Sequence, residues 1–402
     1  MKLFRSTSQA VIDSLNDIFR GDRYADKVIE KVLKQNPKWG ARDRRFIAET
    51  TYNIVRWYRL LQELSGSPAV APGSQDYWKI FATWMHLQGV DLPAWEEFSS
   101  VNFDNWDERL RNARAVRKIR ESVPDWMDEL GEKELGNLWD TEIHALNEEA
   151  KVVLRANGLK VNRRDLQKVL DKEGVETEST PMSPDAVMLK QRQNVFQLQS
   201  FKDGLFEIQD AGSQLIAPFL QVEPGMRVID ACAGAGGKTL HLAALMHNKG
   251  RILAMDTEDW KLEELKKRAR RSGAGNIETR TIVSSKTVKR LERSADRLLL
   301  DVPCSGLGVL RRNPDAKWKL SQDFVDRIRD TQRNIISDYS RMVKPGGMMV
   351  YSTCSLLPSE NEDQVKSFLS STQREWELVE DKKVMPSEGF DGFYMARLRR
   401  NQ

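Results

Sequence analysis

The chain has 402 residues, 30% of them charged and 40% hydrophobic, with a formal net charge of +4. Its mean hydropathy is −0.56 and no apolar run nears the ~18 residues of a membrane span, so a soluble protein without membrane partners is expected. Three cysteines (Cys232, Cys304 and Cys354) are too few and too scattered for a disulfide framework and lack zinc-site spacing, so no metal is expected.

Residues 1 to about 145 carry helical periodicity throughout. The N-terminus reads as an amphipathic helix without the apolar core of a signal peptide, which makes the cytoplasm the expected location. Val11, Ile12, Leu15, Ile18 and Phe19 form one apolar face, and Val28, Ile29, Val32 and Leu33 another. A further helical pattern runs from Phe46 to Leu61 with Asp43 as its expected N-cap. Gly66, Pro68, Pro72 and Gly73 mark a loop before a tryptophan-rich helix, YWKIFATWMHL. Tryptophans at helical spacing read as core rather than as base-stacking platforms. Basic clusters at 109–120, 266–271 and 397–400 suit a nucleic-acid partner or, equally, solvated helix faces and a frayed tail.

The pattern changes near Lys151. VVLRANGL, RRDLQKVLDKEG, VETEST and AVMLK read as strand, helix, strand and strand, a small α+β unit over 146–205. Strands and helices then alternate over 206–402, closing with EWELVE and FYMARLR as an antiparallel pair. The expected architecture is α/β: a doubly wound sheet preceded by an all-helical domain, 1–145, and the small α+β unit.

RVIDACAGAGGKTL, from Arg227 to Leu240, is the stretch that points to a ligand. Val228 and Ile229 end a buried strand, Asp230 closes it, and Gly234, Gly236 and Gly237 permit a tight turn into a helix. A Walker A loop would need glycine at Cys232, and a dinucleotide fingerprint would need it at Thr239. Neither fits, which leaves a nucleoside cofactor without a cradled triphosphate.

Ligands of such sheets bind at the carboxyl ends of the strands. The second strand ends in Asp256, placed for ribose hydroxyls or as a helix N-cap. The fourth leads into DVPCSG (Asp301 to Gly306) and the fifth into STCS (Ser352 to Ser355). If those two strands are neighbours, Cys304 and Cys354 face one crevice. Two thiols beside an acid suit methylation at carbon 5 of a pyrimidine, which is a poor nucleophile until a thiolate adds to carbon 6. A free thiol with a pKa of ~8.5 is mostly protonated at neutral pH, so the site is expected to lower it.

CAGAGGKT, DVPCSGLGVLRRNPDAKW and YSTCS resemble the Sun-type RNA cytosine-C5 methyltransferases, and LRAN (154–157) with FEIQDAGSQ (206–214) resembles the region preceding their catalytic domain. The resemblance implies S-adenosyl-L-methionine as cofactor, with Cys354 as nucleophile and Cys304 assisting product release. It implies that Asp301 contacts the cytosine edge, that Lys238 supports the site and that Asp256 binds the cofactor ribose. Ala231, Cys232, Ala233, Gly234, Ala235, Gly236, Gly237, Lys238, Asp301 and Ser284 complete the implied cofactor and catalytic set. DNA cytosine methyltransferases attack with the PC cysteine, so Cys354 favours the RNA class; the NPPY turn of amino-methylating enzymes is absent. Two features depart from the family pattern: Gly234 and Ala235 stand where it has Ala-Pro, and Ser284 and Ser285 where it often has an aspartate.

RDRRFIAETTYNIVRWYRLL (42–61) resembles the RNA-binding NusB-like domain fused to bacterial small-subunit rRNA methyltransferases. The expected partner is therefore RNA, ribosomal before transfer RNA, and the expected state a monomer. Arg311 and Arg312 of the RRNP loop are expected near the crevice to meet phosphates. The rival reading is an RNA-binding or ribosome-assembly factor on a methyltransferase scaffold.

Overall fold

A computed structural model describes residues 2–68 and 73–401, so Pro72 of the expected loop and the terminal residues Met1 and Gln402 lie outside the described residues. The chain divides into two compact units, Met1–Glu148 with Leu310–Gln322, and Glu149–Val309 with Asp323–Gln402. The expected boundaries lack this exchange, in which a segment just beyond Cys304 folds with the N-terminal helices.

The first unit is helical. Arg5–Phe19, Ala25–Gln35, Ala41–Arg56, Tyr58–Ser65 and Ser74–Leu87 pack their apolar stripes around Val11, Leu15, Ile47, Ile54, Leu61, Tyr77 and Phe81, all buried. Asp43 is not the N-cap: the helix starts at Ala41, and Asp43 reaches back in the first turn to accept from Gly40 N at 3.3 Å. The expected helix over 43–61 is interrupted at Trp57 (φ −102°, ψ 21°). Trp78, Trp84 and Trp139 are buried core, as their spacing indicated.

The basic run 109–120 is largely spent inside this unit. Arg117 pairs with Asp128 and Glu132, Lys118 with Asp125, and Arg120 with Glu121 and Asp140. Leu310–Gln322 is fastened among the helices. Arg311 Nη2 donates to Ala145 O (2.9 Å), and Asp315 Oδ2 accepts from Ala25 N (2.9 Å). Lys317, fully buried, donates to the carbonyls of Arg56, Glu121 and Ser122 and to Asn147 Oδ1.

The second unit holds two sheets, numbered here in chain order among the described residues. The smaller contains β1 (Val153–Ala156), β2 (Thr177–Ser179), β3 (Ala186–Leu189) and β4 (Phe206–Ile208), all antiparallel in the order β2-β3-β1-β4. The strand β4 begins where the catalytic domain was expected to begin; three residues are too few to show alternation. The larger contains β5 (Arg227–Asp230), β6 (Arg251–Asp256), β7 (Ile277–Thr281), β8 (Ala295–Asp301), β9 (Val343–Thr353), β10 (Trp376–Val384) and β11 (Phe393–Arg400). Its order is β10-β11-β9-β8-β5-β6-β7, with β7 to β9 parallel and β11 and β10 antiparallel. The chain enters at β5, winds outward through β6 and β7, then crosses to β8 and β9. The switch point between β5 and β8 is where such sheets open a crevice. The central strands are buried on both faces (Val228, Ile229, Leu298, Leu299 and Leu300 at 0% exposure), as parallel sheets require.

The other two basic clusters are also largely neutralised within the unit. Arg268 and Arg271 pair with buried Glu207, and Lys266 and Lys267 with Glu263 and Glu264. Arg397 and Arg399 pair with Glu380 and Glu377 across β10 and β11, and Arg400 with Glu375 just before β10. No described helix is long and apolar enough to cross a membrane.

Candidate active site

The loop after β5 turns on two glycines in the left-handed region. At Gly234 (φ +52°) a side chain would meet open space, whereas at Gly236 (φ +88°) a Cβ would sit 2.5 Å from Leu265 Cγ. The following helix, Gly237–Leu245, starts with no side-chain cap, leaving its first N–H groups for an anionic ligand. Asp256, at the end of β6, accepts from Gly234 N (2.8 Å) and from Glu258 N (2.9 Å). It therefore ties the glycine loop to the second strand; the helix that follows begins at Asp259, so Asp256 is not its N-cap. From beneath, Arg155 Nη1 donates to Gly237 O (2.7 Å) and Arg268 Nη1 to Ala235 O (2.8 Å). Ala231 and Ala233 are buried in the loop's scaffold, with Ala231 N bonded to Leu299 O and Ala233 N to Met255 O. Ser284 is exposed beyond β7 and stands at the N-cap of a short helix, Ser285–Lys289, with no side-chain cap bond.

β8 and β9 are parallel neighbours with Asp301 opposite Ser352. Ser352 Oγ donates to Asp301 Oδ1 (3.0 Å) and Lys238 Nζ to Asp301 Oδ2 (2.6 Å). Burial pulls the Lys238 ammonium down, but the charge and hydrogen bond of Asp301, with Cys354 and Asp230 beyond it, push it above its ordinary value. Beyond the strand ends Cys304 Sγ lies 3.3 Å from Cys354 Sγ and accepts from Cys354 N at 3.3 Å.

The lowering was expected of the attacking thiol; Cys304, the assisting one, is shifted the other way. Its hydrogen bond to Cys354, its burial, and the charges of Cys354 and Glu360 push it well above the ordinary value. Cys232 is likewise pushed up, by burial and then by Asp230, Asp301 and Asp256, so it stands in the loop as a neutral thiol. Arg311 and Arg312 were expected at the crevice. Arg311 is instead 2% exposed, and both belong to the segment that folds with the helices, so Arg311 is not free to meet phosphates. Two residues of the site had no chemical role in the sequence reading, where Asp230 only closes a strand and Glu360 is not singled out. Asp230 is fully buried beneath Lys238, holds Thr239 Oγ1 (2.7 Å), and is pushed up to about 7 chiefly by burial. Glu360 joins the two cysteine loops; the acidic run SENED gave no hint that one carboxylate turns inward.

Open space over Gly234 and Gly237, an uncapped helix start and the Asp256 carboxylate at the neighbouring strand end fit a nucleoside carrying an amino-acid tail. Fold and site thus define an S-adenosylmethionine-dependent methyltransferase. A family model described as 16S rRNA methyltransferase RsmB/F matches residues 217–399, and the family's ferredoxin-like domain matches 123–196. A Synechocystis sp. protein named Probable ribosomal RNA small subunit methyltransferase B is 30% identical over 98% of this chain and 99% of its own length. The Ribosomal RNA small subunit methyltransferase B of Vibrio cholerae is 32% identical over 68% of this chain, which spans 64% of that protein. The chain belongs to the RsmB/F family of 16S rRNA methyltransferases. A methyltransferase homolog from Pyrococcus horikoshii is 27% identical and superposes with a TM-score of 0.63 over 71% of this chain and 97% of that one.

Proposed function

We propose that this chain transfers a methyl group from S-adenosylmethionine to carbon 5 of a cytosine in small-subunit ribosomal RNA, through a covalent adduct with Cys354. The observation that carries the reading is the pair of thiols in contact at the ends of β8 and β9, beside the Asp301–Lys238 ion pair. Cys354 Sγ, as thiolate, adds to carbon 6 of the cytosine and leaves carbon 5 electron-rich. Asp301, fixed by Lys238 and Ser352, faces the polar edge of the ring and steadies the charge that develops there. The cofactor supplies an electrophilic methyl group on a positively charged sulfur. With the methyl carried over to carbon 5 and the cofactor sulfur left as a neutral thioether, the carbon-5 proton would pass to water, the carbon 5–carbon 6 double bond would re-form, and Cys354 would depart with the electrons of the carbon–sulfur bond. Cys304, held protonated against Cys354, assists that departure.

The helical residues 1–145 act as the NusB-like arm that recruits RNA, and the protein works as a cytoplasmic monomer. Small ribosomal subunits and transfer RNA lacking the modification, incubated with the protein and the methyl donor, test the reading by bisulfite sequencing. One newly protected cytosine in small-subunit rRNA is expected, lost in Cys354→Ala. Protection confined to transfer RNA would replace the substrate. No protection in either, with the donor bound, would favour the assembly-factor reading.

A further inference from the structure

Glu360 is fully buried, and its carboxylate gathers four donors. Oε2 accepts from Ser305 N (2.8 Å) and Gln332 Nε2 (2.9 Å); Oε1 accepts from Ser305 Oγ and Ser355 Oγ, both at 2.5 Å. Ser305 follows Cys304 and Ser355 follows Cys354, and their hydroxyls lie 3.1 Å apart. Gln332 Nε2 also holds Pro303 O (3.0 Å), and Tyr351 Oη donates to Glu360 O (2.7 Å). One carboxylate therefore spans both cysteine loops. Two acceptor atoms with four lone-pair sites suit two fixed N–H groups and two hydroxyls. A buried charge with four hydrogen bonds is compensated, whereas a bare one is not.

We propose that Glu360 is a positioning residue: its carboxylate locks the Cys304 loop to the Cys354 loop and sets a negative charge behind Cys304. This deepens, and rests on, the covalent reading given above. The titratable groups facing Cys304 are Cys354, Glu360 and Tyr351. Negative charge at Glu360 disfavours a thiolate at Cys304, while the Lys238 ammonium feels the charge of Cys354. The Glu360 charge thus adds to the hydrogen bond with Cys354, to burial and to the charge of Cys354 in disfavouring a thiolate at Cys304.

Two substitutions separate charge from span. In Glu360→Gln the amide oxygen can take the fixed N–H groups, and the amide nitrogen can donate to hydroxyls that turn round, so the loops stay tied without the charge. Alkylation of each cysteine, followed against pH by peptide mass spectrometry without RNA, should show the Cys304 midpoint falling by about one pH unit. Methyl transfer should slow about tenfold or more in kcat with unchanged cofactor affinity. Glu360→Asp keeps the charge but is too short to reach both loops, so kcat should fall while the Cys304 midpoint stays in place. An unmoved midpoint in Glu360→Gln, or an unchanged kcat in both variants, would overturn the proposal. Should Glu360→Gln fail to bind cofactor, Ser355→Ala decides: a slower kcat supports the tie, and an unchanged one overturns it. Full methyl transfer by Cys354→Ala would instead sink the covalent reading, which the RNA-free midpoint does not depend on.

Discussion

Lys238 Nζ and Asp301 Oδ2 form a 2.6 Å ion pair that joins the helix after the glycine loop to the end of β8. Both side chains are mostly withdrawn from solvent, so the pair is held by low dielectric and geometry together. Lys238→Met removes the ammonium that fixes Asp301 Oδ2, leaving Ser352 Oγ as its side-chain partner. The expected result is a fall in kcat of about 10–100-fold, with cofactor affinity by calorimetry within a few-fold of wild type. An unchanged kcat would remove the pair from the catalytic machinery.

Asp256 anchors the glycine loop through Gly234 N, and under the proposed function it would also meet the cofactor ribose. Asp256→Asn retains one acceptor oxygen where two are used, so both loop geometry and ribose contact suffer. Cofactor dissociation should weaken by about 1–3 kcal/mol, read by calorimetry on the folded variant. An unchanged dissociation constant would limit Asp256 to the turn with Glu258.

Two buried groups give opposite pH dependence. Asp230 is raised from 3.8 to about 7, chiefly by burial, so the folded chain keeps a proton that the unfolded chain releases. Its contribution to stability falls as pH rises through that window. His241 is lowered from 6.5 to about 4 by burial and Arg155 against the pull of Asp185; the unfolded chain protonates first, and stability is lost as pH falls through that range. The effects oppose one another between pH ~4 and ~6.5. Denaturant titrations across this range should show stability rising with pH in Asp230→Asn and falling with pH in His241→Gln, each by a few kcal/mol. Parallel slopes in the two variants would contradict the assignment.

Lys317 lies fully buried among three carbonyls and Asn147 Oδ1, its ammonium pushed well below its ordinary value by burial and by Arg56. Lys317→Met strands those acceptors and should cost about 2–4 kcal/mol in stability. Lys319, whose partner Asp22 is exposed, serves as the control, and Lys319→Met should cost about 1 kcal/mol or less. Equal melting temperatures for the two variants would deny Lys317 its anchoring role.

The elements that repeat a period were legible before any coordinates. The helical faces of Val11–Phe19, the strands RVIDA and DRLLLDVP, and the glycine turn each carry their pattern within a few residues. What stayed hidden depends on which neighbour a polar group meets. Arg311 reads as a phosphate ligand until the fold buries it against Ala145 O. The basic clusters read equally as nucleic-acid surface or as solvated faces, and neither reading shows that Asp128, Glu207 and Glu380 face them. Glu360 is one acid in an acidic run, and only the meeting of two loops fifty residues apart gives it four donors. Long-range polar partners have no sequence period, so they appear only with the topology.

The division of labour between Cys304 and Cys354 is tested most directly by trapping the adduct. With RNA and S-adenosylmethionine present, Cys304→Ala should still attack and methylate but release product slowly, accumulating a covalent protein–RNA species on a denaturing gel. Cys354→Ala and the double variant should give no such band and no methyl transfer. A band in Cys354→Ala and none in Cys304→Ala would reverse the roles, and methylation surviving in both variants would remove cysteine catalysis from this protein.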